Sequence, residues 1–192
     1  MSERIVGVTP KEYNGKLYRS TLEAKTAETL DELGVEYSYE NRKLILQEGF
    51  RCPYQKDKVR DLTYTPDFEV GNVILECKGF ETPEWKIKKK LVFKYLMDNE
   101  PETSFYQIHD NKKELLRALD SHWRDLGYCI QVSSKPVTTK RKHVDVSIWL
   151  FDSIIEAMNE LHIGYKPIGN IMKSLTGEKD YIYGYKWTLI KI

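Results

Sequence analysis

Two short apolar runs, separated by a glycine-asparagine pair, constrain the fold of this chain more than any other feature. The runs cover residues 68–70 and 73–75, and Gly71 and Asn72 lie between them. A two-residue connection of this kind is typical of a tight hairpin turn. We therefore predict two antiparallel strands that lie side by side in this part of the chain.

Ionisable side chains lie at one end of the predicted hairpin. Asp67 precedes the first run, and the second run continues into Glu76, Cys77 and Lys78. Because side chains alternate along a strand, Glu76 and Lys78 share one face and Cys77 points to the other. The apolar residues before Glu76 indicate an inner strand, where a half-buried carboxylate is unfavourable unless it is paired or binds an ion.

A divalent cation is one way to stabilise these charges. Two neighbouring carboxylates repel each other, but together they form a good oxygen site for Mg²⁺. Lys78, about 6.7 Å along the strand from Glu76, can then orient or deprotonate a water molecule or stabilise charge on a phosphate. This chemistry is that of a phosphodiester hydrolase. The alternative is a structural Glu76–Lys78 ion pair on an edge strand, with Asp67 only a turn residue.

The order Pro66-Asp67, then Glu76-Cys77-Lys78, resembles the motif of the PD-(D/E)XK nuclease superfamily. The resemblance implies that Asp67 and Glu76 bind Mg²⁺, for which Mn²⁺ can substitute, and that the Cys77 backbone carbonyl is a further ligand. It also implies that Lys78 is the catalytic lysine. The implied fold is α/β of the α+β type, with a restriction-endonuclease-like αβββαβ core and a mixed sheet.

The first predicted helix carries a further carboxylate, Glu23. Helical periodicity runs from Ser20 to about residue 33, and Gly34 is suited to end the helix. Residues 18–24 are similar to a phage and bacterial subgroup of the superfamily, and this resemblance implies that Glu23 assists at the metal, commonly through water. The alternative is a capping box, in which the Glu23 carboxylate bonds the backbone amide of Ser20.

The segments on either side of this helix give weaker signals. Residues 1–19 are predicted to be an irregular arm, because Pro10 and Asn14-Gly15 interrupt any regular pattern. Residues 35–46 alternate loosely and predict a strand or a hairpin. Residues 49–63 predict a polar loop that either contacts phosphates or is simply solvated, and its basic residues are Arg51, Lys56, Lys58 and Arg60.

A lysine-rich helix is predicted after the hairpin, over residues 85–97, with Pro83 near its start. Ile87, Leu91 and Tyr95 are expected on one side of this helix, and Lys86, Lys90 and Lys94 on another. No acidic residue lies between residues 86 and 94, which favours contact with a DNA backbone over an ordinary solvated face. The predicted contacts are Lys86, Lys89, Lys90 and Lys94.

The next elements complete the predicted core. Residues 104–109 predict a strand, and residues 112–126 predict a helix with a leucine-rich face. The order of elements read from periodicity is then helix, strands, hairpin, helix, strand and helix. This order agrees with the αβββαβ core that the resemblance implies.

The composition changes after residue 130, and we predict a nuclease domain over residues 1–130 and a basic linker over residues 131–143. The linker has no apolar period. A linker of this kind either follows the DNA backbone or is an inert tether. Its predicted DNA contacts are Lys135, Lys140, Arg141 and Lys142.

Residues 144–192 are predicted to form a DNA-binding module, with a strand, two short helices and an aromatic-rich final strand. Residues 151–157, 171–177 and 184–187 resemble the nuclease-associated modular DNA-binding repeats (NUMOD-like) of homing endonucleases, although this chain has extra residues before Ile171. The resemblance implies a helix-turn-helix. The alternative is a small α/β appendage that packs on the nuclease or mediates dimerisation. The predicted DNA contacts are Lys166, Asn170, Lys173 and Ser174.

Composition excludes few classes of function. No apolar run is long enough to span a membrane, and the first residues lack the pattern of a signal peptide, so we expect a cytoplasmic protein. Cys52, Cys77 and Cys129 are widely spaced and are expected to be reduced thiols. The net charge of +1 gives no argument for nucleic acid, so that argument depends on where the basic residues lie.

Together these features predict a Mg²⁺-dependent DNA endonuclease of the homing or phage mobile type. Its expected partner is double-stranded DNA, and a homodimer or higher homo-oligomer is left open. One alternative is a junction-resolving or repair nuclease. Another is a non-catalytic, regulatory DNA-binding protein that keeps the fold only for its surface.

Overall fold

A computed structural model describes residues 9–109, 112–139, 142–144, 146–164 and 168–192. Within these ranges the fold is mixed α/β, of the α+β type, with five helices and several small sheets. The helices are α1 (Thr21–Glu32), α2 (Pro83–Asn99), α3 (Lys112–Asp125), α4 (Ile154–Glu160) and α5 (Ile168–Leu175). The strands are β1 (Lys11–Tyr13), β2 (Lys16–Tyr18), β3 (Ser38–Tyr39), β4 (Leu44–Gln47), β5 (Leu62–Tyr64), β6 (Phe68–Val70), β7 (Val73–Cys77), β8 (Ser104–Ile108), β9 (Tyr128–Ser134), β10 (Val137–Thr139), β11 (Lys142–Val144), β12 (Ile148–Phe151) and β13 (Tyr185–Lys191).

The predicted hairpin forms the middle of a four-stranded sheet with the order β3-β6-β7-β8. Phe68 lies opposite Leu75, and Val70 lies opposite Val73, so the turn falls on Gly71 and Asn72 as predicted. Strand β8 runs parallel to β7 on its other side. Strand β7 is therefore an inner strand, and all five of its residues are buried.

The two faces of β7 pack against different helices. Leu75 and Cys77 belong to the larger apolar cluster, which includes residues of α1 and α3. Ile74 belongs to a smaller cluster with Trp85 of α2 and with Tyr64 of β5. Because side chains alternate, Glu76 follows Ile74 onto the α2 face.

Helix α2 is present, but the side that carries Ile87 and Leu91 is not its buried face. The buried residues are Trp85, Val92 and Leu96, whereas Ile87 is 66% exposed and Leu91 is 37% exposed. The hydroxyl of Thr82 accepts a hydrogen bond from the amide of Trp85 and so caps the helix. Trp85 determines which face of α2 is turned toward the sheet, because its large ring packs over the sheet in the first turn of the helix.

The prediction of an irregular amino-terminal arm is wrong for the residues that the structure describes. Strands β1 and β2 form a hairpin around Asn14 and Gly15, which both have positive φ angles, 49° and 73°. An Asn-Gly pair favours this two-residue turn, because both positions need a left-handed backbone. The hairpin places Tyr18 in the core, where it is 2% exposed.

The segment between α1 and the central hairpin contributes to two sheets. Strand β3 pairs with β6, whereas β4 pairs with β5 and places Leu44 opposite Tyr64. Of the two alternatives for residues 35–46, a strand or a hairpin, the hairpin is therefore not formed. The predicted loop also ends earlier than expected, because β5 begins at Leu62.

Strand β9 is the central strand of a second sheet, with the antiparallel order β12-β9-β13. Phe151 of β12 and Leu189 of β13 both lie beside Ile130. Residues 131–134, which we predicted to begin the linker, are instead part of this strand. The hairpin of β10 and β11 follows it.

The two short carboxy-terminal helices are present as predicted. They pack with Trp187 of β13 in the same apolar cluster as Leu116 and Leu119 of α3. The buried carboxylate of Asp120 in α3 also accepts a hydrogen bond from the Ile154 amide, 3.0 Å away, at the start of α4. Helices α4 and α5 and strand β13 therefore share a core with α3, and the division into two domains stays a prediction.

No helix in the described part of the chain is both long enough and apolar enough to cross a membrane.

Candidate active site

Glu76 is the most deeply buried member of the candidate site, with a relative exposure of 2%. Its Oε1 lies 2.7 Å from Nζ of Lys78. Its Oε2 accepts a hydrogen bond of 2.7 Å from the hydroxyl of Tyr64. The cost of burying this carboxylate is offset by a cation on one oxygen and a hydroxyl donor on the other.

Asp67 lies beside Glu76, because continuing the β6–β7 register places the two residues opposite each other. Its Oδ2 accepts a hydrogen bond of 2.8 Å from the Cys77 amide. Burial, together with the nearby carboxylate of Glu76, raises the pKa of Asp67 to about 8. Negative charge is therefore crowded at this point, and an added cation would relieve it.

Lys78 is held from two directions. Its Nζ contacts Glu76 and also lies 4.4 Å from the centroid of the Trp85 ring. Its side chain keeps 28% exposure, so the ammonium group faces both the buried carboxylate and solvent. This position suits a group that donates hydrogen bonds to a bound anion or to water.

Glu23 has a different set of partners. Its Oε2 accepts hydrogen bonds from the Tyr39 hydroxyl at 2.6 Å and from the Arg19 amide at 3.1 Å. Its Oε1 accepts a hydrogen bond of 2.7 Å from the Ser20 hydroxyl, which in turn accepts one from the Glu23 amide at 3.1 Å.

Only half of the predicted capping box is therefore formed, because the Glu23 carboxylate bonds the amide of Arg19 and not that of Ser20. Glu23 is nevertheless 6% exposed, and its charge contributes to raising the pKa of Asp67. Its role at a metal stays a prediction.

Three site residues were missed by the sequence analysis: Tyr64, Trp85 and Gln107. Gln107 lies beside Glu76 in the β7–β8 register, and its Oε1 accepts a hydrogen bond of 3.3 Å from the Trp85 indole nitrogen. The predicted strand over residues 104–109 contained the signal for Gln107, since a parallel neighbour of β7 must place one residue beside Glu76. Tyr64 and Trp85 gave no such signal, because their contacts depend on long-range packing.

Whether a divalent cation fits between Asp67 and Glu76 depends on the charge and the type of the donor atoms there. Within the described ranges, no group of three or more His, Cys, Asp or Glu side chains is arranged to hold a metal ion. Asp67 and Glu76 nevertheless provide two hard oxygen donors, and burial together with the charge of Glu76 raises the pKa of Asp67. With the Cys77 carbonyl nearby on the same strand, this donor set suits Mg²⁺.

The lysines of α2 are only partly available. Lys86 and Lys90 are exposed, but Lys89 pairs with Glu81 and donates a hydrogen bond of 3.1 Å to Gln107. Lys94 pairs with Asp98 at 2.5 Å. The acidic partners, Glu81 and Asp98, lie outside the segment from residue 86 to residue 94, so the composition of that segment did not predict these ion pairs.

Among the predicted DNA contacts of the carboxy-terminal part, some side chains are exposed and others are paired or buried. Asn170 is exposed, whereas Lys173 pairs with Glu178 at 2.8 Å. Ser174 is 5% exposed, and its hydroxyl accepts a hydrogen bond of 3.2 Å from the Trp187 amide. Its hydroxyl is therefore not on the surface that we predicted to meet DNA.

The predicted linker contacts are described only in part. Lys135 is exposed, and its Nζ lies 5.9 Å from the centroid of the Tyr181 ring. Lys142 begins β11. Lys140, Arg141 and Lys166 lie outside the described residues.

Comparisons with family models, with curated proteins and with solved structures found no match for this chain.

Proposed function

We propose that this chain is a metal-dependent endodeoxyribonuclease that hydrolyses phosphodiester bonds of double-stranded DNA, of the homing or phage mobile type. The observation that carries the proposal is the convergence of Asp67, Glu76 and Lys78 at the end of an inner strand. Two neighbouring carboxyl groups that can bind an ion, together with an adjacent ammonium group, are what a metal-assisted reaction at a phosphate requires.

The order of elements supports a restriction-endonuclease-like core. Helix α1 precedes β3, the β6–β7 hairpin, α2 and β8, which gives the series αβββαβ. Strand β8 is parallel to β7, while β3 and β6 are joined antiparallel, so the sheet is mixed. Strands β4 and β5 are additions to this series.

The acidic residues have a definable role in this proposal. Asp67 and Glu76, with the Cys77 carbonyl, would hold Mg²⁺ or Mn²⁺. When bound, such an ion supplies positive charge to a phosphate oxygen and lowers the pKa of water. Near neutral pH, Asp67 otherwise keeps a proton, which belongs on Oδ1 because Oδ2 accepts from the Cys77 amide.

Lys78 and its neighbours position the reacting groups. The Trp85 ring and Glu76 hold the ammonium group where it can donate to the attacking water or to a phosphate oxygen. Tyr64 fixes the second oxygen of Glu76. Glu23 adds negative charge from α1, where its carboxylate is held by the Tyr39 hydroxyl.

The test is the nicking of supercoiled plasmid by purified protein in Mg²⁺ and in EDTA. We expect cleavage only with the metal, and a loss of at least a hundredfold in Glu76→Gln and Lys78→Met. The matched controls are Glu12→Gln and Lys11→Met, two exposed residues of β1, which should keep the wild-type rate. Equal rates for the site variants and the controls would contradict the proposal.

One observation favours a second candidate, a non-catalytic regulatory protein that binds DNA. Both oxygens of Glu76 already have donors in Lys78 and Tyr64, as a purely structural carboxylate would. DNA binding without nicking under any metal would support this candidate. A second comparison, of cleavage of linear DNA with cleavage of a synthetic four-way junction, distinguishes a junction-resolving nuclease, which would prefer the junction.

A further inference from the structure

A basic ribbon projects from the candidate site. We use this name for residues 44–64, in which β4 and β5 pair with each other and with no strand of the two main sheets. The pairing continues beyond the strands: the Phe50 amide donates to the Val59 carbonyl at 3.0 Å, and the Val59 amide donates back at 2.8 Å. The basic residues of the ribbon are therefore carried on a hydrogen-bonded hairpin.

Gly49 allows the two arms of the basic ribbon to approach closely. A Cβ atom at this position would lie 2.5 Å from the Val59 carbonyl oxygen, so any other residue would push the arms apart. The Gly49 amide also donates a hydrogen bond of 2.7 Å to the carboxylate of Asp61 on the opposite arm. The sequence therefore specifies a narrow ribbon here.

The base of the basic ribbon is part of the candidate site. Leu44 and Tyr64 are buried in the cluster that contains Ile74 and Trp85, and the Tyr64 hydroxyl bonds Glu76. The orientation of the ribbon is thus fixed relative to the carboxylates. A ligand that binds along the ribbon is therefore held at a fixed distance from these carboxylates.

The far part of the basic ribbon is positively charged and accessible. Residues 51–60 hold four cations and one carboxylate, Asp57, so this part of the ribbon has a net charge of +3, while the other two carboxylates of the ribbon, Glu48 and Asp61, lie nearer its base. Tyr54 at the tip is 94% exposed. Among the described residues, no carboxylate forms an ion pair with any of the four exposed cations, which are Arg51, Lys56, Lys58 and Arg60.

The length of the basic ribbon from Tyr64 to Val59 is similar to half of the helical repeat of DNA. Tyr64 and Val59 are five residues apart, about 17 Å at the rise of a strand, which is about half of the 34–36 Å helical repeat of DNA. A two-stranded ribbon also fits the width of the major groove.

We propose that the basic ribbon binds duplex DNA about half a helical turn from the phosphate at the Glu76–Lys78 pair. Its cations contact the backbone, and Tyr54 enters the groove. This inference rests on the proposed nuclease function and adds a contact surface to it.

The salt dependence of binding tests the charged contacts. Fluorescence anisotropy on a labelled duplex in EDTA, which prevents cutting, would compare the ribbon variant K56A/K58A/R60A with the control K11A/R117A/R124A. The control removes the same charge from exposed residues of β1 and α3. Because each phosphate contact contributes about 0.9 to the slope of log K against log salt, the slope should fall by about 2.7 in the ribbon variant only.

Tyr54→Ala should weaken binding without changing this slope, because it removes no charge. Equal slopes for the ribbon variant and the control would overturn the inference. If the wild type neither binds nor nicks DNA, the proposed function itself fails, and the inference falls with it. If the wild type nicks DNA but the two triple variants behave alike, only the inference fails.

Cys52 gives a direct measure of position. It is partly exposed on the basic ribbon, while Cys77 and Cys129 are buried, so a radical-generating iron chelate can be attached to it selectively. On a duplex whose enzymatic cut has been mapped, the chelate should break the backbone about five base pairs from that cut, half of a 10–10.5 base-pair turn. Breaks more than one full turn away, or none, would refute the placement.

Discussion

Replacing Asp67 with asparagine should make the metal-free protein more stable, although it removes a proposed catalytic group. Asparagine keeps an oxygen that can accept the Cys77 amide hydrogen bond of 2.8 Å. It removes the charge that burial and Glu76 make unfavourable, which is the reason why the pKa of Asp67 is raised to about 8.

The size of the effect follows from the pKa. One pKa unit corresponds to about 1.36 kcal/mol, so the difference between 3.8 and about 8 sets a ceiling of about 6 kcal/mol. Asp67 is partly accessible, and water lowers the repulsion, so we expect about 2–3 kcal/mol.

The sign of the pH dependence is fixed by the direction of the shift. Below pH 4 the Asp67 carboxyl is protonated in both the folded and the unfolded protein, so the two variants differ least there. As the pH rises toward 8, only the unfolded wild type ionises freely, and the wild type loses stability relative to Asp67→Asn. The advantage of the variant should therefore be complete above pH 8.

Urea unfolding in EDTA at several pH values measures this difference. The control is Asp57→Asn on the exposed part of the basic ribbon, which should change the free energy of unfolding by less than about 0.5 kcal/mol. Mg²⁺ at 100 times its dissociation constant should stabilise the wild type by about 2.7 kcal/mol and leave Asp67→Asn unchanged. A less stable Asp67→Asn at pH 8.5 would refute the argument that negative charge is crowded at this site.

Two other substitutions test the packing around the site. Tyr64→Phe removes the hydroxyl that donates to buried Glu76. We expect the free energy of unfolding, measured with urea, to fall by about 1.5–3 kcal/mol. An unchanged free energy of unfolding would show that this hydrogen bond contributes nothing to stability. Leu96→Ala should cost about 2–5 kcal/mol because Leu96 is 5% exposed, while its matched control Leu91→Ala, on the outer face of α2, should cost less than about 1 kcal/mol. Equal losses for the two leucines would contradict the observed rotation of α2.

The central hairpin could be predicted because its determinants are local. Gly71 and Asn72 specify the turn, and the apolar residues on both sides specify the register, so the relative positions of Asp67 and Glu76 followed. The start of α1 at Ser20 was equally local, and the Ser20 hydroxyl accepts a hydrogen bond from the Glu23 amide.

The parts that could not be predicted depend on long-range packing. Helix α2 has apolar residues on more than one face, and the buried face is chosen by the fit of Trp85 against Tyr64 and Ile74. The pairing of Leu44 with Tyr64 joins residues separated by a long polar loop. For the same reason the sequence did not predict that the Tyr64 hydroxyl donates to Glu76, although it did predict Glu76 as a site residue.

The central position of β9 has a consequence for the order in which the chain can fold during synthesis. Both neighbours of β9 come from later in the chain, and its first residue, Tyr128, pairs with Lys191. While the chain is still being translated, Ile130 and Val132 have no strand on either side to cover their backbone groups. The second sheet can therefore close only when residues 185–191 have left the ribosome, and a chain interrupted before residue 148 would carry an apolar strand with two open edges.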